Sequence, residues 1–167
     1  MSADTHQSLI IGGALLALLA LQIPNVLLWP LPCRSGVEFA KASPAWSWLP
    51  WSYTLFLIVW TPLAVIATAR TVEQAAPAVF LAAIILVPYS GAAAVIGLFE
   101  AFTGLSPRLG LRQPRGSVQP WLHTSFDFLR LGTVQVAGPA GRVRAAGGLR
   151  LALAALSLGF MAMTLNS

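Results

Sequence analysis

Charged residues are scarce in this sequence of 167 residues. Only 9% are Asp, Glu, Lys or Arg, whereas 57% are hydrophobic. A soluble domain carries roughly a quarter charged residues, so this chain has too few charges to cover a compact fold with a water-facing surface. We therefore expect the apolar excess to face lipid.

Side chains that bind metals or catalyse reactions are also few, with one cysteine and two histidines (Cys33, His6 and His123). A single cysteine cannot form an internal disulfide and does not support a cysteine-ligated zinc or iron–sulfur site. The histidines fall on opposite sides in the topology derived below, which argues against a bis-histidine haem. We find no Gly-rich phosphate loop, Ser/His/Asp set or paired carboxylates in the sequence. We predict no metal, no cofactor and no catalytic residue, which favours a protein that is not an enzyme.

Long apolar runs are the main feature that is present. A membrane-spanning helix needs about 20 mostly apolar residues, and four windows meet or approach that length: residues 9–29, 52–69, 75–99 and 149–165. Because a bilayer offers no hydrogen bonds to the backbone, such runs form helices rather than open strands. We predict an all-α fold, a polytopic membrane helix bundle of about four transmembrane helices, with residues 1–167 in a single membrane domain.

Basic residues fall mainly in two loops of this scheme. An interfacial loop over residues 30–51 and a basic loop over residues 104–148, together with Arg150, hold nine of the ten Lys and Arg residues. Since loops rich in Lys and Arg stay in the cytoplasm, we expect both loops to be cytoplasmic and both termini outside. Arg150, at the edge of the last helix, is expected to extend its guanidinium to the lipid headgroups. Arginine far outnumbers lysine and alanine is abundant, which favours a bacterial inner (cytoplasmic) membrane.

Tryptophans cluster at the same two loops. Tryptophan favours the headgroup level, where its ring is half in an apolar and half in a wet environment. We expect residues 37–51 to lie along the interface, as an ordinary aromatic belt. The tryptophans assigned to contact with lipid or a partner are Trp46, Trp48, Trp51 and Trp121.

The basic loop is rich in proline and glycine, which disfavour a long helix. Residues 133–136 and 142–144 flank a Gly-Pro-Ala-Gly turn, so we predict a small hairpin there. Three arginines, Arg108, Arg112 and Arg115, are expected to contact anionic lipid or an acidic face of a partner. Nucleic acid is not an expected partner, because the basic residues are not interleaved with stacking aromatics.

Polar residues within the apolar runs are the candidate functional positions. These are Glu100, Gln22, Asn25, Tyr89 and Ser90. They favour helix–helix hydrogen bonding, although a polar patch for a quinone, a lipid headgroup or a small substrate remains the alternative. For Glu100 we expect an interfacial ion pair with Arg108 or Arg112, and the alternative is a proton relay.

Prolines and small residues also recur in the runs. Pro24, Pro62 and Pro88 each remove one backbone hydrogen bond, and the resulting kinks are either ordinary or part of a gate. Small residues at fourfold spacing predict close helix packing: Gly13 and Ala17, Ala93 and Gly97, Ala155 and Gly159.

Together these features favour a non-catalytic integral membrane subunit, an accessory, assembly or stabilising component of a larger membrane protein complex. Its expected partners are membrane lipids and other membrane protein subunits. The alternative is a small membrane transporter or channel-like protein with proline-kinked helices. An enzyme that acts on lipid or quinone has no identifiable residue set.

Overall fold

A computed structural model describes residues 3–28, 31, 33–35, 43–109, 134–137 and 140–165. In chain order its elements are α1 (Ala3–Ala20), α2 (Ile23–Leu28), β1 (Cys33–Ser35), a 3-10 helix (Pro44–Trp46), α3 (Leu49–Thr71), α4 (Pro77–Thr103), β2 (Ser106–Leu109), β3 (Val134–Ala137) and α5 (Ala140–Leu165). Within the described residues, four helical stretches are long and apolar enough to cross a membrane: Gln7–Leu28, Ser52–Thr71, Pro77–Thr103 and Ala140–Leu165. The predicted number of candidate spans is confirmed.

The first of these stretches is interrupted between α1 and α2. Pro24 has no N–H and cannot bond back to the fourth residue before it. The N–H of Gln22 instead donates to the carbonyl of Leu19 at 3.0 Å, a tighter three-residue turn. Pro62 and Pro88, in contrast, lie inside the continuous helices α3 and α4.

Helix α4 lies at the centre of the bundle, where it contacts α1, α3 and α5, and its packing against α5 is the most extensive. Buried positions recur every three or four residues along α5, which places them in one helical stripe. They are Val143, Ala146, Gly147, Arg150, Ala154, Ser157 and Met161. Helix α3 packs mainly on α4, at the edge of the bundle.

The three strands form one antiparallel sheet in the order β1-β3-β2. Ala137 of β3 is opposite Cys33 on one side and Ser106 on the other. Strand β1 follows α2, whereas β2 follows α4 and β3 precedes α5. The sheet therefore brings both loops to one end of the bundle, hereafter the sheet end, as expected for four spans.

The structure corrects the predicted basic loop, 104–148. It contains two strands, and α5 begins at Ala140 rather than at residue 149. The predicted hairpin is wrong: β3 forms, but residues 142–144 are helical, because Val143 belongs to the buried stripe of α5 and packs with Leu28 and Leu31. Residues 110–133 of this loop lie outside the described part.

The interfacial loop, predicted over residues 30–51, is shorter than expected. Helix α3 begins at Leu49, so Trp51 belongs to its first turn rather than to the loop. Pro50 lies near the start of this helix, where its missing N–H costs no helical hydrogen bond. Residues 30, 32 and 36–42 of this loop lie outside the described residues.

Candidate functional site

Glu100 and Arg150 form a buried ion pair between α4 and α5. The Nε of Arg150 donates to Oε2 of Glu100 at 2.9 Å, and its Nη2 donates to Oε1 at 3.2 Å. The side chains are 0% and 6% exposed, respectively. Such a two-pronged, charge-assisted contact is among the strongest polar interactions in proteins and fixes the relative geometry of its partners.

Two glycines bring the helices that carry this pair into backbone contact. A Cβ atom at Gly147 would lie 2.5 Å from the amide nitrogen of Ala101 and 2.7 Å from the carbonyl oxygen of Gly97. A Cβ atom at Gly97 would lie 2.9 Å from the carbonyl oxygen of Gly147. Only residues without a Cβ allow α4 and α5 this close, and the approach places Glu100 opposite Arg150.

Further hydrogen bonds connect the ion pair to α2 and to the sheet. The buried hydroxyl of Ser106, at the start of β2, donates to Oε1 of Glu100. The Nη2 of Arg150 donates to Oδ1 of Asn25 in α2 at 3.0 Å. Gly104 makes the turn from α4 to β2 with a left-handed φ of 69°, which glycine adopts without strain. The ion pair therefore joins α2, α4, α5 and β2.

The hydrogen bonds continue beyond Asn25. Its Nδ2 donates to Oε1 of Gln22 at 3.0 Å, and Nε2 of Gln22 donates to the hydroxyl of Tyr89. We call this series the polar chain: Ser106, Glu100, Arg150, Asn25, Gln22 and Tyr89. Tyr89 precedes Glu100 by 100 − 89 = 11 residues on α4, or about 16 Å along the helix axis.

Burial decreases along the polar chain. Glu100 is 0% exposed and Arg150 5%, whereas Asn25 is half-buried, Gln22 is exposed and Tyr89 is 36% exposed. The charges are therefore enclosed near the sheet end, and the uncharged groups reach the outer surface of the bundle.

Two other polar contacts join the helices. The hydroxyl of Ser90 in α4 donates to that of Ser157 in α5 at 2.9 Å, and both are buried. The indole N–H of Trp60 in α3 donates to the carbonyl oxygen of Pro88 at 2.9 Å. The ring of Trp60 packs against Gly91, where a Cβ would lie 2.5 Å from Cζ2. This contact attaches α3 to α4.

The structure brings four of the five polar residues that the sequence analysis singled out into one hydrogen-bonded series. Gln22, Asn25, Tyr89 and Glu100 belong to the polar chain, whereas Ser90 makes its separate contact with Ser157.

Arg150 corrects an expectation, because its guanidinium turns into the bundle instead of reaching toward headgroups. The ion-pair partners expected for Glu100 were Arg108 and Arg112. The structure does not test this expectation, because Arg112 and the side chain of Arg108 lie outside the described residues.

The predicted surface residues lie partly in the described structure. Trp46 and Trp48 are neighbours, with ring centroids 5.7 Å apart, and Trp46 packs edge-on against Phe99 at 6.2 Å. The 3-10 helix that carries Trp46 therefore rests on the sheet-end half of α4. Arg115, Trp121 and the side chain of Trp51 lie outside the described residues.

Ser106, Ser157 and Trp60 were missed by the sequence reasoning, and so was the role of Arg150. The stripe of small and apolar residues around Arg150 is a sequence signal that could have placed it inside a helix. Ser106 carries no such signal, since only the turn at Gly104 brings it back to Glu100.

In chemical terms the polar chain is a series of groups, each hydrogen-bonded to the next. Glu100 uses both carboxylate oxygens within the chain, one of them with two donors. Among the described residues there is no cluster of three or more His, Cys, Asp or Glu side chains that could hold a metal ion. The arrangement can fix the relative positions of four elements. The chain matches no protein-family model, no curated protein and no solved structure.

Proposed function

We propose that this chain is a non-catalytic integral membrane subunit, an accessory, assembly or stabilising component of a larger membrane protein complex. The proposal rests on the environment of the Glu100 carboxylate. It is the only acidic residue in the four candidate spans, and its carboxylate is enclosed and bonded to Arg150 and Ser106. The buried charges of Glu100 and Arg150 therefore serve the architecture of the bundle.

The outer faces of the bundle support the same proposal. Only 11% of the span window in α3 is buried, against 39% in α4. An open apolar groove of about 620 Å³ follows α3. Its lining includes Leu55, Val59, Trp60, Leu63 and Ala67. Surfaces of this kind suit lipid tails and the apolar faces of other membrane subunits.

We also propose that the chain resides in the bacterial cytoplasmic membrane with the sheet end in the cytoplasm. The concentration of basic residues in the two loops that meet in the sheet supports this orientation. Arg142 and Arg144, near the start of α5, are both exposed. Trp46 and Trp48 lie at the same end, where an aromatic belt at the headgroup level is expected.

Purification of the tagged chain in a mild detergent tests the subunit proposal. We expect one or more membrane proteins to co-purify at a fixed ratio. A monodisperse monomer, obtained from its native host under conditions that preserve other membrane complexes, would contradict the proposal.

A small transporter or channel-like protein is the second candidate. The observation that favours it is the helix break beside Pro24, where Gln22, in the turn before α2, accepts a hydrogen bond from Asn25 in α2. Solute or ion flux into proteoliposomes that is lost in Gln22→Leu, with the fold retained, would favour this candidate over the first.

A further inference from the structure

We propose that the exposed end of the polar chain, Gln22 with Tyr89, is the docking site for a transmembrane helix of a partner subunit. The partner helix would carry a hydrogen-bond acceptor, such as a Ser, Thr, Asn or Gln side chain, at the depth of Tyr89. This inference rests on the proposed subunit function and adds the place and the chemistry of the contact.

The hydrogen-bond donors at this end of the polar chain are not all used within the described structure. The hydroxyl of Tyr89 accepts a hydrogen bond from Gln22 and can donate one itself. Within the described structure no residue accepts its proton. The Gln22 amide gives one N–H to Tyr89, and its second N–H also meets no acceptor in the described part of the chain. Two donor hydrogens at this surface are therefore unused by the part of the chain that the structure describes.

Tyr89 lies near the middle of its candidate span. Tyr89 lies 12 residues after the start of α4 at Pro77 and 14 before its end at Thr103. At 1.5 Å per residue it is roughly 20 Å from either end of the helix. Lipid tails at that level contain no acceptor and water is excluded, so an unused donor there is unfavourable. A side-chain acceptor on a neighbouring helix removes this penalty.

Exposed apolar side chains surround the two donors. Ile85, one helical turn before Tyr89, is 53% exposed. Leu19 and Val26, on either side of Gln22 in sequence, are 68% and 65% exposed. Because Gln22 is bonded to Tyr89, the turn between α1 and α2 lies against α4 there. A long apolar face with donors at its centre fits a helix better than a compact polar ligand.

Site-specific photocrosslinking tests the location. A photoreactive residue at Ile85 is compared with one at Ile66, which lies on α3 and is 52% exposed. We expect an adduct at Ile85 with a transmembrane segment of the co-purifying partner that carries an acceptor side chain, and no adduct with that segment at Ile66. The same segment at both positions, or only lipid, quinone or a second copy of this chain at Ile85, would overturn the inference.

A double-mutant cycle tests the hydrogen bond. Tyr89→Phe keeps the ring and should weaken partner binding about threefold, the change expected for one hydrogen bond between membrane helices. Replacement of the partner's acceptor by alanine should weaken binding by the same factor. The two substitutions together should weaken binding no more than either one alone. Fully additive losses would overturn the inference.

A steric variant keeps the test informative if Tyr89→Phe lowers stability. Ile85→Trp should release the partner, whereas Ile66→Trp should not. A partner that co-purifies unchanged with Tyr89→Phe and Ile85→Trp would refute this docking site while the subunit proposal stands. Absence of any partner from the wild-type preparation would refute the subunit proposal itself.

Discussion

At the residue scale, Glu100 and Arg150 show why a buried ion pair specifies a structure without adding much stability. The desolvation of both charges offsets most of their attraction, but the loss of one partner leaves the other charge buried and unpaired. Here Ser106 donates a further hydrogen bond to Glu100, and Asn25 accepts one from Arg150. The pair therefore selects the arrangement of helices in which it is complete.

Glu100→Gln is expected to lower the free energy of unfolding by about 3–5 kcal/mol, because it leaves the Arg150 guanidinium without a counter-charge. Unfolding in mixed detergent micelles measures this. The matched control is Glu73→Gln, since Glu73 is exposed in the turn between α3 and α4 and should change stability by less than about 0.5 kcal/mol. Equal effects of the two substitutions would contradict the assignment.

The sequence identifies most members of the polar chain but not their pairing. Glu100 is conspicuous as the lone acid of the apolar runs, and Gln22 and Asn25 share a helix face by their spacing. The partner of Glu100 depends on where α5 begins. With a start at residue 149, Arg150 is a terminal residue free to reach the headgroups, but with a start at Ala140 it lies inside the bundle.

At the scale of elements, the contact between α4 and α5 depends on Gly97 and Gly147. Gly147→Ala is expected to destabilise the protein by about 1–3 kcal/mol, because the added methyl meets backbone atoms that cannot move aside. The neighbouring Gly148 faces open space, so Gly148→Ala is expected to gain up to about 1 kcal/mol from helix propensity. Thermal unfolding in detergent measures both.

The two neighbouring glycines should respond to alanine with opposite changes in stability. Both substitutions add one methyl group to α5 and raise its helix propensity equally. Stabilisation by Gly147→Ala as well would mean that the helices are farther apart than described. Destabilisation by both would mean that the exposed side of α5 is covered by something close-fitting.

Helices and strands could be predicted only where a short stretch of sequence indicates them by itself. Long uncharged runs mark the helices because a spanning segment must be apolar along its whole length. The strands are only three or four residues long and pair across distant parts of the chain, so no local pattern reveals their partners. The glycines at 147 and 148 argued against a helix by propensity, although packing against α4 outweighs that cost.

The small-residue pairs show the same limit. Gly97 does face α5, Ala93 on the same helix face is buried, and Gly13 packs against Phe160. Ala155 and Gly159 instead point away from the bundle, with no atom near the position of a Cβ at Gly159. Spacing places two small residues on one face of a helix but does not say which face is covered.

At the scale of the whole molecule, the sheet places both basic loops at one end, and the proposed orientation puts that end in the cytoplasm. Cys33, the only cysteine, opens β1 there. In intact cells a membrane-impermeant maleimide should leave Cys33 unlabelled and should label it after permeabilisation. The control is Gln74→Cys in a Cys33→Ser background, because Gln74 is exposed in the turn at the opposite end. Labelling of Cys33 but not of position 74 in intact cells would reverse the orientation.

The helix bundle was predictable from the expectation that lipid is the solvent of the apolar runs, and no sequence motif was needed. A chain with 9% charged residues and four apolar helices is expected to place its apolar surface against lipid. The distribution of Lys and Arg then suggests the orientation of the chain across the membrane. The identity of a partner subunit has no such physical signature in this sequence. The structure adds the polar chain and its exposed donors as the place to look for one.

The central claim is that the Glu100–Arg150 pair serves architecture within a membrane subunit and not chemistry. It is tested most directly by native mass spectrometry of the complex with Glu100→Leu and Arg150→Met, alone and combined. Since apolar replacement of a whole buried pair is often neutral, the account predicts that each single variant loses the complex and that the double variant recovers it at wild-type stoichiometry. A double variant that fares no better than the singles would contradict the account.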